Sequence, residues 1–250
     1  GKMRHWAVDG NTEKHAEHRY ARQRLYYFIL ITTNSLLRQG TEATRLRWRD
    51  VKKIRSKIDK DKWLFYFEVK EGKKQRYGHD ETIKFLTPDG LKYLLKWKKL
   101  LKTEYGLGED KDEFVFPKLD GTEVDTHYMS RLFRRQLLKW DAEGLEKASR
   151  GRTKKTYVPL AVDSHGVNIT LYSWRHSKIS KLLIHSGRSI AEVSRMADVS
   201  LLQMSRAYFK TQMLADADRY ADHSVQRNAV ERQSEEDENW IRETLAEFGM

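Results

Sequence analysis

Seven consecutive residues, Trp63-Leu64-Phe65-Tyr66-Phe67-Glu68-Val69, interrupt the helical spacing that governs almost every other apolar stretch of this chain. The run is aromatic and β-branched, a composition that suits a pleated, half-buried surface better than a helix. Glu71-Gly72-Lys73-Lys74 supplies a turn, and Thr82-Ile83-Lys84-Phe85-Leu86 returns as a strand. Residues 51–86 therefore hold a small antiparallel sheet, and any fold for the chain has to set helices around it.

The helices are read from apolar periodicity and from their stops. Leu25, Phe28, Ile29 and Leu36 crowd the spacing of a mostly buried helix over 19–37, which Gly40 breaks, and a short helix covers 41–48. Thr87-Pro88-Asp89-Gly90 opens a helix with proline in its first turn, and Leu91, Leu94, Leu95, Trp97, Leu100 and Leu101 carry it to about residue 105. Another helix spans 126–141, and 143–168 reads as irregular with a basic loop at 150–155. Three helices follow closely: 171–186, stopped by Gly187; 189–196, with Ser189 and Glu192 at capping-box spacing; and 200–209, with Ser200 and Gln203 likewise. The expected fold class is mainly α with a small antiparallel β-sheet, an α+β arrangement.

Charge narrows the partner. The net charge is +12, and residues 231–250 carry seven acids against two arginines, which leaves +17 on the rest. A folded body so basic is expected to bind a polyanion, nucleic acid before membrane. The longest apolar stretch, around 25–31, is too short and too interrupted for a bilayer span, and Gly1-Lys2-Met3-Arg4 lacks the apolar run of a signal peptide. With no cysteine, disulfides, thiolate zinc sites and a cysteine nucleophile are excluded, in keeping with a reducing cytosol. The carboxylates and histidines give no metal set; the best cluster, Asp216, Asp218, Asp222 and His223, has the spacing of a solvated helix face.

Cutting a phosphodiester with a protein nucleophile needs an attacking oxygen, cations on the non-bridging oxygens, and an acid for the departing hydroxyl. Arg38 stands at a helix end, where an isolated arginine is ordinarily a surface residue. Lys70 closes the aromatic strand, and a hairpin can carry its ammonium to a groove edge as a general acid. Lys73, Lys74, Arg76, Lys154 and Lys155 read as phosphate contacts. Arg175 lies among Leu171, Trp174, Ile179, Leu182 and Leu183, so it needs an anionic partner, a carboxylate or a substrate phosphate. Tyr208 ends an amphipathic helix between Arg206 and Lys210; alone, such a tyrosine is more often a core-edge residue.

Taken in order, these residues form a pattern: Arg38-Gln39-Gly40-Thr41-Glu42, then Leu46-Arg47-Trp48-Arg49-Asp50-Val51, Lys70, Tyr172-Ser173-Trp174-Arg175-His176, Gly187 and Tyr208. Over residues 19–210 the chain resembles the catalytic domain of the tyrosine recombinase (phage integrase) family. The resemblance implies a site-specific recombinase of a mobile genetic element, working on double-stranded DNA without metal or cofactor. Tyr208 would form a 3′-phosphotyrosyl intermediate, Arg38 and Arg175 would clamp the phosphate, Lys70 would protonate the leaving oxygen, and Glu42 would brace the first arginine's helix. It also implies a monomer in free solution, a homo-tetramer on paired sites, and a cytoplasmic, nucleoid-associated location.

Two positions depart from the family pattern. Tyr172 stands where histidine is usual, and its phenol donates a hydrogen bond but shuttles protons poorly near neutral pH. Val199 falls where histidine or tryptophan is usual and offers a phosphate nothing, which leaves room for Asp198 or Lys210 to intrude. Tyr220 is a rival nucleophile that lies too far beyond Arg175. The resemblance divides the chain into a linker or the end of a missing N-terminal DNA-binding region (1–18), a catalytic domain (19–212), and an acidic tail (213–250) whose Trp240, Ile241, Leu245 and Phe248 make a helical stripe. That stripe docks either on a neighbouring protomer or on its own body. The alternatives from other classes are a DNA-binding protein that kept the fold and lost catalysis, a type IB topoisomerase-like relaxing enzyme, and a basic structural or RNA-binding module.

Overall fold

The computed structural model describes residues 2–9, 16–71, 81–150, 157–163, 166–186, 188–208 and 244–246. Its helices are α1 (Lys2–Arg4), α2 (Ala16–Ser35), α3 (Thr41–Thr44), α4 (Pro88–Leu100), α5 (Thr126–Arg150), α6 (Leu171–His185), α7 (Ile190–Ala197) and α8 (residues 201–208). The strands β1 (Val51–Arg55), β2 (Trp63–Val69) and β3 (Thr82–Phe85) form one antiparallel sheet in the order β1-β2-β3. The α+β class expected from the sequence is therefore the observed one.

Alternation within β2 sets which face of the sheet is covered. Phe65, Phe67 and Val69 are buried while Trp63 and Leu64 are exposed, and on β3 Lys84 pairs with Phe67 and points to the covered side. Helix α4 starts on Thr87, whose hydroxyl accepts from the Gly90 amide at 3.1 Å, with Pro88 in the first turn. A wider turn at Leu101–Tyr105 continues it until Gly106, at φ 64°, closes the helix in the left-handed region that glycine enters without strain.

Two apolar cores result. The larger joins α2, α4, α5 and the inner face of the sheet around Leu25, Phe28, Phe67, Trp97, Phe116 and Phe133. Trp97 stacks on Tyr27 with centroids 5.4 Å apart and donates its indole N–H to the Val115 carbonyl at 2.6 Å. The smaller core holds α6, α7 and α8 together through Ile179, Leu183, Val193, Ala197, Met204 and Tyr208, with Leu36 at the end of α2 as its link to the larger one. The caps expected at Ser189 and Ser200 are present: Ser189 exchanges hydrogen bonds with Glu192, and Ser200 Oγ accepts from the Gln203 amide at 3.2 Å.

Some local expectations change. Residues 2–9 are helical rather than aperiodic, because Trp6 meets Trp140 edge-on at 5.9 Å and Ala7 is buried. Helix α5 runs to Arg150, nine residues past the expected end, through a stretch of good helix formers that has no apolar stripe to announce it. Gly144 inside it makes room for Tyr157, since a Cβ there would stand 2.1 Å from the ring. In the tail, Leu245 packs on this chain's own Phe65, Leu91 and Leu95. Trp240, Ile241 and Phe248 lie outside the described residues, as do Lys73, Lys74, Arg76, Lys154, Lys155, Lys210, Tyr220 and the Asp216, Asp218, Asp222 and His223 cluster. Among the described residues no helix is long and apolar enough to cross a membrane.

Candidate active site

At the seam between the two cores the chain collects cations. Arg38 follows the end of α2, Arg175 lies in the first turns of α6, and Lys84 projects from β3. All three donate to successive carbonyls at the C-terminal end of α7: Lys84 Nζ to Met196 at 3.3 Å, Arg175 to Ala197 and Arg38 to Asp198. Those carbonyls are the ones a helix end leaves without intrahelical partners, and the negative end of the helix dipole lies there too. Arg38 also pairs with Glu42 and, at 3.1 Å, with the Asp198 carboxylate, while Glu42 Oε2 accepts the Arg38 amide at 3.0 Å. Glu42 thus holds Arg38 by its amide and by its guanidinium.

Arg175 is fully buried. Its guanidinium donates to the Leu36 and Ala197 carbonyls, and its Nε, also buried, meets no acceptor. Of the two partners expected from sequence, a carboxylate is not among the described groups that hold this guanidinium; carbonyls hold it instead. The two described non-glycine residues with positive φ are Leu36 (54°) and Asp198 (55°), and both supply a carbonyl to one of these arginines. Backbone held in that region costs about 1–3 kcal/mol per residue and survives only where its surroundings impose it. Both instances fall at this cluster.

The candidate nucleophile completes the group. Tyr208, at the end of α8, is buried, and its hydroxyl shares a hydrogen bond with His176 Nδ1. Burial, with a smaller push from Tyr172, raises the phenol to about 12, and the nearby Arg175 charge works against that rise. The His176 ring sits between two phenols, with the Tyr172 centroid at 4.8 Å and the Tyr208 centroid at 5.9 Å. Burial and the Arg175 charge lower His176 below the usual imidazole range.

The lysines divide. Lys70 is exposed at the end of β2 and pairs with Glu68 at 3.2 Å and Glu81 at 3.9 Å, which raises it above the ordinary lysine value. Lys84, 1% exposed, is brought down to about 7 by burial and by the Arg175 charge. Sequence reading assigned no role to Lys84 or His176. The one available signal for Lys84 was a lysine in the alternating position that buries Phe67 across the ladder. Val199 packs at the margin of the smaller core, and the Asp198 carboxylate holds Arg38 beside it.

No family model matches this chain, and no curated protein matches it. Solved structures similar to it include two recombinases. One is a XerA recombinase, 16% identical, with a TM-score of 0.50, covering 90% of this chain and 62% of its own. The other is a XerH site-specific recombinase bound to a palindromic difH substrate in a post-cleavage complex, 17% identical, with a TM-score of 0.51 and coverages of 88% and 51%. The chain thus spans about half to three-fifths of the length of these two proteins. At such identity the likeness is one of fold, and this chain's share of it is helices around a three-stranded antiparallel sheet.

Proposed function

We propose that this chain is a site-specific DNA recombinase of the tyrosine type, which cuts and rejoins duplex DNA through a 3′-phosphotyrosyl intermediate. The observation that supports the reading is the seam: Arg38 and Arg175 both donate to carbonyls at the end of α7, and the Tyr208 phenol, near enough to feel the Arg175 charge, shares a hydrogen bond with His176. Guanidinium groups positioned before the reaction stabilise the charge that builds on the two non-bridging oxygens, and each such contact is worth about 10²–10³ in rate. The phosphate exchanges with the carbonyls and the Asp198 carboxylate that now engage the arginines. Tyr208 attacks the phosphorus, and Lys70 gives its proton to the departing 5′ oxygen. Its exposed pairs with Glu68 and Glu81 are weak and salt-screened, so the ammonium leaves them readily. Lys84 stays at the floor of the site and holds the end of α7.

The excess of basic charge supplies the affinity for the duplex, including Lys73, Lys74, Arg76, Lys154 and Lys155. The assembly in this reading is a monomer that forms tetramers on paired sites, in the compartment that holds the DNA. The test is a nicked suicide duplex incubated with the protein: a covalent protein–DNA adduct forms with the unaltered chain and not with Tyr208→Phe. One observation favours a second reading, a DNA-binding protein without cleavage: Arg38 is held by Asp198, next to a valine. That reading predicts salt-sensitive binding and no adduct.

A further inference from the structure

We propose that His176 is the base that receives the Tyr208 phenol proton, a role displaced one helical turn along α6 from Tyr172. The inference rests on the recombinase reading above and assigns a residue which that reading leaves without work. Tyr208 Oη and His176 Nδ1 already share a hydrogen bond, so the proton's path is in place before DNA arrives. The imidazole is fixed edge-on against Tyr172, 4.8 Å between centroids, which orients Nδ1 toward α8.

The chemistry requires such a group. A buried phenol raised to about 12 is ionised in roughly one molecule in 10⁵ at neutral pH, too few for attack without a proton acceptor. Tyr172 cannot serve, since a phenol oxygen is a far weaker base than an imidazole nitrogen. Among the described residues, the titratable and charged groups facing His176 are Tyr172 and Arg175 from its own helix and Tyr208 from α8. Burial and Arg175 lower the imidazole below its ordinary value and favour its neutral form, whose Nε2–H tautomer presents the Nδ1 lone pair to the Tyr208 hydroxyl.

In the forward step the bond from Tyr208 Oη to phosphorus forms as the bond to the 5′ oxygen breaks. The phenol proton passes to His176 Nδ1, and the leaving oxygen takes a proton from lysine. In rejoining, the 5′ hydroxyl returns its proton to the neutral lysine as it attacks, the bond from phosphorus to Oη breaks, and the imidazolium gives its proton back to Oη. No oxidant, metal or external acid enters the balance.

The experiment measures single-turnover adduct formation on the suicide duplex across pH with the full chain, His176→Gln and His176→Gly. The expected result for His176→Gln is a fall of about 10²–10³-fold at unchanged DNA affinity, with loss of the acidic limb of the rate profile. Added imidazole restores His176→Gly. A duplex with sulfur in place of the bridging 5′ oxygen, which needs no protonation to leave, does not restore His176→Gln, because the defect is on the nucleophile's side. A His176→Gln rate within about threefold of the unaltered chain with the same pH dependence, or a His176→Gly variant that imidazole does not restore, overturns the inference. An unaltered chain that forms no adduct overturns the recombinase reading, and the inference with it.

Discussion

The two cores of this molecule are held by different physics. In the larger, rings and aliphatic side chains interlock: Phe28 packs edge-on against Phe116 at 5.0 Å, and both are fully buried. At the seam beside the smaller, a fully buried guanidinium, a buried ammonium and a half-buried arginine hold carbonyls at a helix end, over two residues in the left-handed backbone region. Close-packed apolar surface stabilises regardless of function. Buried cations and strained backbone do not improve on a hydrophobic replacement for stability alone, and their concentration in one place is the reason for proposing chemistry there.

That contrast breaks most visibly in a matched pair of variants. Phe28→Ala should lose about 3–5 kcal/mol of unfolding free energy in urea, while the folded fraction still forms the covalent adduct. Arg175→Met should lose only about 1–3 kcal/mol, from carbonyls left without a donor, yet drop adduct formation by about 10²–10³-fold. Equal stability losses with no change in adduct formation would erase the distinction between the two regions.

The lysines sharpen it. Lys84 titrates near 7 in the folded chain and near the ordinary lysine value when unfolded, so between those values the unfolded chain binds more protons. Stability of the unaltered protein should therefore rise with pH above 7, by at most about 1.4 kcal/mol per unit, and in Lys84→Met that rise should be absent. Lys70→Ala should leave the unfolding curve where it is and slow cleavage, and a duplex with a bridging 5′ sulfur should restore the rate. Restoration of Lys84→Met instead would move the proton donor to β3.

The smallest effect concerns Asp198. Asp198→Asn keeps a residue that tolerates positive φ while removing the charge that holds Arg38. Binding to a duplex, followed by fluorescence anisotropy, should tighten by about three- to tenfold at low salt and converge with the unaltered chain as salt rises. Unchanged affinity at low salt would mean that the carboxylate does not compete with phosphate.

Much of this was legible in the sequence, because periodicity and end signals are local. The aromatic, β-branched run at Trp63 placed the sheet, Thr87-Pro88 placed the start of α4, and Ser189 with Glu192 placed the start of α7. The arginines and Tyr208 could be picked out through a resemblance of motif and order. Contacts between distant segments were not legible. Trp6 against Trp140 orders residues that look aperiodic, and α5 outruns its apolar stripe. Nothing near Leu36 or Asp198 in the sequence announces a left-handed backbone; Arg38 and Arg175, which draw on their carbonyls, come from other parts of the chain. Lys84 and His176 escaped for the same reason, since each takes its character from Arg175 or Tyr208 across the fold.

The central claim, that the seam is built around one nucleophilic phenol, is tested most directly by mapping the protein–DNA bond. The suicide-duplex adduct is digested with protease and nuclease, and the nucleotide-bearing peptide is sequenced by mass spectrometry. The account predicts a 3′-phosphonucleotide on Tyr208. A nucleotide on Tyr220 or on any other residue would contradict it.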